Sequence, residues 1–493
     1  MKKKSTNHYT PYFISGVKFS FLNVIVSLVF SFATAFLYFN NLSNSEFIFY
    51  SVSQITIYFF VSFSNLEFSK LIRKYFPNYE KDTSDIILKK LIKTSTLTLF
   101  TVFAVYFYTT KYFEIYSYFD EYLNIFYLFI FISSLVQILS NYFGEYLAAN
   151  QKFDIQEKKY LIYSTPFKFI GLLLFFFIFK SLFFILLFNL LTRVINLIIT
   201  FSVSNVNLRN KSYNLPSKDV LNLFKTKSNL LFTAKNFIFF NYPLLFFSYM
   251  PVYLTDYHTE NDIAVFSLAV SLFNAIKPFL NGVHVIINPA IQQLNKQNDN
   301  EKLFKIIYLV FLLLSFLTIY LLILIWSGLN YSPIVTTLFT KFSYNLFSDL
   351  ALSSIVLSLF FMINLIKHSY FLSINKENVI FTSSVLSLMI SLYFWTQYQN
   401  FGLRINLSLL IILIFYFFNL VFNIIAAPLL LGKYKTTIVG IVVIYLLTLN
   451  TLFYDSFFVF LVINILNLSI LSFSLRNLFK KLSINPIKLL LSD

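Results

Sequence analysis

The chain has 493 residues, enough for two or three soluble domains at roughly 150 residues each. However, 58% of it is hydrophobic and only 12% charged, against about 25% charged in a typical soluble protein. With 66 Phe and no Cys, the composition excludes a soluble multidomain protein, a disordered chain, a coiled coil and a disulfide scaffold, and leaves no thiolate for catalysis or metal binding.

The fold class this predicts is an all-α polytopic membrane protein. Its apolar runs reach 20 residues, whereas the strands of a membrane barrel alternate polar with apolar. Reading such runs between polar breaks predicts fourteen spans, at about 12–38, 46–69, 94–110, 122–146, 160–179, 182–202, 229–253, 262–290, 306–327, 347–366, 378–396, 406–431, 436–453 and 456–474. No small-residue cleavage site follows the first run, so it reads as a retained span rather than a signal peptide. The weakest divisions fall at Lys180-Ser181 and between Asn450 and Asp455.

Charge orients these spans. With the N-terminus inside, the inner segments hold 29 Lys and Arg and the outer segments four, namely Lys111, Lys180, Lys341 and Arg404. A wrong span count would scramble this alternation, so the bias supports fourteen spans with both termini cytoplasmic. The net charge of +17 is thus a topological signal, and no nucleic-acid partner is expected.

A repeat is also legible. Segment 46–53, EFIFYSVS, matches 262–269, DIAVFSLA, at an offset of 216. Lys90 to Lys93 corresponds to Lys302 to Lys305, Asn150 to Asn375, and Lys18 to Lys235, at offsets of 212 to 225. These point to two six-helix lobes related by a parallel internal repeat, plus two C-terminal helices. The expected organisation is an N-terminal lobe at 1–202, a cytoplasmic linker at 203–228, a second lobe at 229–431, and spans 13 and 14 with a cytoplasmic tail at 432–493. Parallel repeats of this kind place a substrate path between lobes.

Soluble-enzyme chemistry is nearly absent. There are four His and eight Gly, none in metal-ligand or nucleotide-loop spacing. A transporter rather than an enzyme is expected, with no catalytic residue, metal or cofactor. The informative residues are polar ones inside spans. In chain order these begin with Lys18 in the first span. Only six residues inside, Lys18 can either snorkel to headgroups or face a cavity. The second span carries Ser51, Gln54, Tyr58, Ser62 and Asn65 on one helical stripe. Lys168 and Arg193 follow in the fifth and sixth spans, about 12 to 14 Å deep, where a cavity and a lipid phosphate are both open to them. Lys235 opens a stripe in the seventh span with Tyr242 and Tyr249. The eighth carries Asn274, Lys277, Asn281, His284 and Asn288 at spacings of 3, 4, 3 and 4. Lys277 lies thirteen residues from the cytoplasmic end, about 20 Å, too deep to snorkel readily.

Polar stripes also serve as glue between helices, and for the Ser-rich first span that is the favoured reading. For Lys277 the favoured reading is functional, since an uncompensated deep Lys is costly. All five charged residues well inside spans are basic, which suits an anionic ligand such as phosphate or pyrophosphate.

Several segments carry a resemblance. LSNSEFIFYSVSQ (42–54) and TENDIAVFSLAVSLFN (259–274) stand where two inter-helix turns enter the next span. NPAIQQLNKQNDNEKLFKI (288–306), AANQKFDIQ (148–156) and LSINKENVIF (372–381) occupy loops. With two six-span lobes and a final pair, the chain resembles the multidrug/oligosaccharidyl-lipid/polysaccharide (MOP) exporter superfamily, and within it the O-antigen and capsular polysaccharide repeat-unit flippases. A Gly common in the family's turns is Ile48 and Ala264 here.

The resemblance implies a V-shaped, alternating-access fold in the bacterial inner membrane. It implies a substrate built as an oligosaccharide on undecaprenyl pyrophosphate, moved across the membrane for cell-surface polysaccharide synthesis (O-antigen or lipopolysaccharide). Expected partners are that lipid-linked oligosaccharide, membrane lipids and other polysaccharide-assembly proteins. Lys277, Lys235, Arg193, Lys168 and Lys18 would meet the phosphates, and Asn274, Asn281, His284, Gln54, Tyr58 and Asn65 would line the cavity. Two rivals make different demands. A cation-coupled multidrug exporter of the same superfamily needs acids at mid-membrane, and a glycan polymerase or ligase needs a long external loop.

Overall fold

The computed structural model describes residues 26, 30–31, 33–35, 37–65, 72, 76, 81–112, 123–150, 155, 158–204, 206, 234, 238–239, 264, 267–268, 371, 377–397, 407–425, 462 and 465–473. Among them there is helix and no strand. Six helices are long and apolar enough to cross a membrane, and Ile411–Asn423 is a shorter apolar helix. The linker predicted at 203–228 lies, apart from residues 203, 204 and 206, outside the described residues.

Helices α1 to α5, within residues 44–204, belong to one compact unit, Met1–Gly282. The first, α1 (Asn44–Asn65), follows a helix whose described residues run to Asn41, with Leu42 and Ser43 as the break. Ser43 and Glu46 set its start as a capping box. The Ser43 backbone N–H and hydroxyl both donate to Glu46 Oε2, at 3.0 and 2.9 Å, and the Glu46 N–H donates to Ser43 Oγ at 3.3 Å. Helix α1 is buried on nearly every side, with Phe47, Ile48, Phe49, Val52, Ile57 and Phe60 fully enclosed. Its accessible positions in the middle recur every four residues, at Tyr50, Gln54, Tyr58 and Ser62.

Helix α2 (Lys81–Tyr112) has 32 residues, about 48 Å at 1.5 Å per residue, against a hydrocarbon core of about 30 Å. It begins thirteen residues before the predicted span, because its first turns are polar outside and apolar inside. Exposed Lys81, Lys89 and Lys93 alternate there with buried Asp85, Ile87, Leu88 and Leu91. Helix α3 (Leu123–Ala149) runs back along it. Three buried clasps tie the pair: Tyr146 donates to Asp85 Oδ1, the Ser95 and Tyr142 hydroxyls share a bond, and so do those of Thr110 and Tyr127, each at 2.6 Å. Membrane helices commonly pack through small residues. With few Gly, this pair uses tyrosine hydroxyls and tilted aromatic contacts instead, such as Phe100 and Phe103 against Phe131.

A π turn at Tyr160–Ser164 leads without a break into α4 (Thr165–Phe177). The Thr165 N–H reaches back five residues to the Tyr160 carbonyl. Pro166, which has no N–H to give, stands just after the π turn, where the hydrogen-bond pattern changes from i→i+5 to i→i+4. Residues 178–181 then reverse the chain into α5 (Leu182–Ser204), so the Lys180-Ser181 division is real. Helix α4 meets α5 where Phe167 stacks on Phe188 at 4.6 Å. Gly171 gives the Phe188 ring room, since a Cβ there would run into it. Helices α1, α3 and α5 pack against one another, with α2 on α1 and α3, and α4 on α5.

The second compact unit, Val283–Asp493, contains α6 (Glu377–Gln397) and α7 (Leu407–Ile425), packed on each other. Their seam is polar and buried. Ser383, Ser384 and Ser387 of α6 and Asn419 and Asn423 of α7 are all buried. Ser383 Oγ lies 3.4 Å from Asn423 Oδ1, Asn419 Nδ2 lies 3.4 Å from Ser384 Oγ, and Asn423 Nδ2 donates to Asn419 Oδ1 at 2.9 Å.

Candidate functional site

The accessible stripe of α1 meets the polar residues of α3, α4 and α5 at mid-span. Arg193 stands eleven residues from either end of Leu182–Ser204, about 16 Å from each. Gln54 is ten and eleven residues from the ends of Asn44–Asn65. Gln137 is fourteen and twelve from the ends of Leu123–Ala149. Lys168 is eight and nine from the ends of the Tyr160–Phe177 helical run. Four polar side chains on four helices therefore share one level of the fold.

Arg193 organises them. Its Nη2 donates to Gln54 Oε1 at 2.7 Å and its Nη1 to Gln137 Oε1 at 2.9 Å. The guanidinium carbon lies 5.9 Å from the centroid of the Tyr58 ring, within the range of a cation–π contact. Gln137 is fixed at its other end, because its Nε2 donates to Asn141 Oδ1 at 3.0 Å. Gln54 is not: its Nε2 is buried and has no hydrogen-bond partner. Tyr50 and Asn189 hydrogen-bond beside the cluster, and Lys168 is near enough to be repelled by the Arg193 charge.

Among the described residues, neither Lys168 nor Arg193 forms an ion pair. Two amide oxygens take two of the guanidinium's five donors but do not cancel its charge. A cation held at mid-span is costly. Beside it stands a buried, idle amide donor, and together they offer the charge and the hydrogen bond that oxyanion oxygens can take.

Of the residues singled out in the sequence, Gln54, Tyr58, Lys168 and Arg193 come together here. Asn65 is buried at the end of α1, eleven residues from Gln54 and about 16 Å along the helix. Lys18, Lys235, Asn274, Lys277, Asn281 and His284 lie outside the described residues. Sequence reasoning missed Gln137, Asn141, Tyr50 and Asn189. The signal for two of them was present, since Ser134, Gln137, Asn141 and Glu145 form a stripe of spacing 3, 4 and 4 on α3.

No protein-family model matches the sequence, and no curated protein sequence matches it significantly. Solved structures do match. An inward-facing multidrug resistance MATE family transporter of the MOP superfamily superposes with a TM-score of 0.56 at 12% identity, covering 85% of this chain and 98% of the other. The lipid II flippase MurJ in an inward closed conformation does so with a TM-score of 0.50 at 14% identity, covering 96% and 100%. The chain thus shares the helical fold of these two membrane transport proteins, the kind of fold that the resemblance in sequence implies.

Proposed function

We propose, starting from that fold, that this protein is a flippase moving a lipid-linked oligosaccharide of the undecaprenyl pyrophosphate type across the bacterial inner membrane by alternating access. The observation that carries the reading is Arg193, a mid-span cation held by amide oxygens and an aromatic face, with no carboxylate paired to it among the described residues. A pyrophosphate supplies the missing anion, and its remaining oxygens accept from Gln54 Nε2. Lys168 adds a second positive charge, and Tyr58 with the nearby amides offers a surface for sugar. Lys277, with Asn274, Asn281 and His284 on its stripe, and Lys235 and Lys18 are further proposed substrate contacts on the strength of their spacing.

A cation-coupled drug exporter would need an acid at this level. Among the described helices the acids stand near the ends, with Glu46 in the first turn of α1, Asp82 and Asp85 early in α2, and Glu145 late in α3.

The test is transport by the full chain in proteoliposomes. The substrate is a polyprenyl-pyrophosphate-linked sugar carrying a fluorophore that an impermeant reductant bleaches in the outer leaflet. The wild type should expose the protected inner-leaflet pool within minutes, and a polyprenol lacking phosphate should stay protected. Movement of a cationic dye with no movement of the phosphorylated lipid would overturn the proposal.

A further inference from the structure

The two glutamines that hold Arg193 are not equivalent. Gln54 accepts from Arg193 and leaves its own Nε2 idle. Gln137 is engaged at both ends, accepting from Arg193 and donating to Asn141 on the next turn of α3. Its amide orientation is thereby fixed: the oxygen faces the cation and the nitrogen faces away from it. We infer that Gln137, set by Asn141, is a positioning residue that holds the Arg193 guanidinium at mid-membrane without cancelling its charge. The inference deepens the oxyanion reading above and rests on it.

The physical reason lies in the choice of an amide. A carboxylate in the same place would make a shorter, stronger bond to Arg193. It would tether α3 to α5 more firmly and relieve the buried cation. It would also neutralise the charge that an incoming phosphate needs. An apolar side chain of the same length would do the reverse, leaving the charge whole and the guanidinium loose. The carboxylate should therefore raise stability while it lowers ligand binding, and the apolar side chain should cost less binding than the carboxylate although it lowers stability. At a merely structural contact between α3 and α5, binding would follow stability.

The experiment uses the purified full chain in detergent with two probes, geranylgeranyl diphosphate and uncharged geranylgeraniol, and reads thermal unfolding against probe concentration. The wild type should be stabilised by the diphosphate and not by the alcohol. Gln137→Glu should unfold at or above the wild-type temperature without probe, yet bind the diphosphate at least tenfold more weakly. Gln137→Met should unfold at a lower temperature and lose only a few-fold in affinity. Asn141→Leu, which frees the Gln137 amide to turn, should lose a few-fold in affinity with little change in probe-free unfolding. It decides the matter if Gln137→Glu does not accumulate. A Gln137→Glu protein that binds the diphosphate as the wild type does, a Gln137→Met protein that binds more weakly than Gln137→Glu, or an Asn141→Leu protein with unchanged affinity would overturn the inference. A wild type indifferent to the diphosphate would instead overturn the function proposed above, and this inference with it.

Discussion

Two pairs of helices occupy matching places in the order of predicted spans, and they treat polarity in opposite ways. The pair α4 and α5 carries Lys168, Asn189 and Arg193, and opens them toward α1 and α3. The pair α6 and α7 carries no charge after Glu377, and its serines and asparagines spend their hydrogen bonds on one another and on their own helices. Both would score as polar stripes in a membrane. They differ in whether every donor is used and whether every charge is cancelled. Glue closes its account inside the protein, whereas the Arg193 cluster leaves a charge and an amide donor unspent.

Substitutions can break or sharpen that contrast. The largest effect is expected at Arg193. Arg193→Gln should lower transport about a hundredfold, since it removes charge-assisted bonds worth about 1.5–3 kcal/mol each, while protein still accumulates. Arg193→Lys should keep part of the activity as a point charge without the fork. Normal flipping by Arg193→Gln in the proteoliposome assay would make the cluster structural.

Next in size is Asn423→Leu in the α6–α7 seam. It strands Asn419 Oδ1, which accepts from Asn423 Nδ2, and should destabilise the protein by about 1–3 kcal/mol. Substrate concentration dependence should be unchanged in the protein that survives. A raised KM with intact thermal stability would show that the seam is a site after all.

Lys168→Met should weaken substrate binding about three- to tenfold, because a second positive charge is lost while the main guanidinium contact remains. It should also leave stability equal or higher, since repulsion from Arg193 is removed, and thermal unfolding checks this directly.

The smallest effect is expected for Tyr58. Tyr58→Phe keeps the ring beneath the guanidinium and should be near neutral, whereas Tyr58→Leu removes a cation–π contact of about 0.5–2 kcal/mol. Equal transport by the two variants would assign the hydroxyl and ring no part in holding Arg193.

Much of this was legible in the sequence. Predicted spans at 122–146, 160–179, 182–202 and 378–396 match α3, the π turn with α4, α5 and α6 to within a few residues. Long apolar runs have few alternatives in lipid. The start of α2 was missed by thirteen residues because hydropathy marks where the membrane begins. A helix continues past that point if its inner face finds Asp85, Leu88 and Leu91 a place to pack.

Along the stripe on α1, Gln54, Tyr58 and Ser62 are accessible, whereas Ser51 and Asn65 are buried and Tyr50, off the stripe, is partly accessible. Spacing alone cannot tell which of two neighbouring stripes a crowded central helix leaves uncovered. Gln137 carries no charge to mark it in the sequence, and its importance comes from Arg193, a residue 56 positions away.

The π turn at Tyr160–Ser164 has a consequence for insertions and deletions. Such a turn holds one residue more than an α turn, so it behaves as a single-residue insertion absorbed by the helix. Deleting any one of its five residues would regularise the helix without breaking it and leave the flanking turns nearly in phase. A deletion within the first α turn after it has no such slack, and would turn Lys168 by about 100° relative to the chain before the deletion, off the Arg193 face. The π turn is thus the place in this helix where chain length can change without moving the charge carried at mid-span.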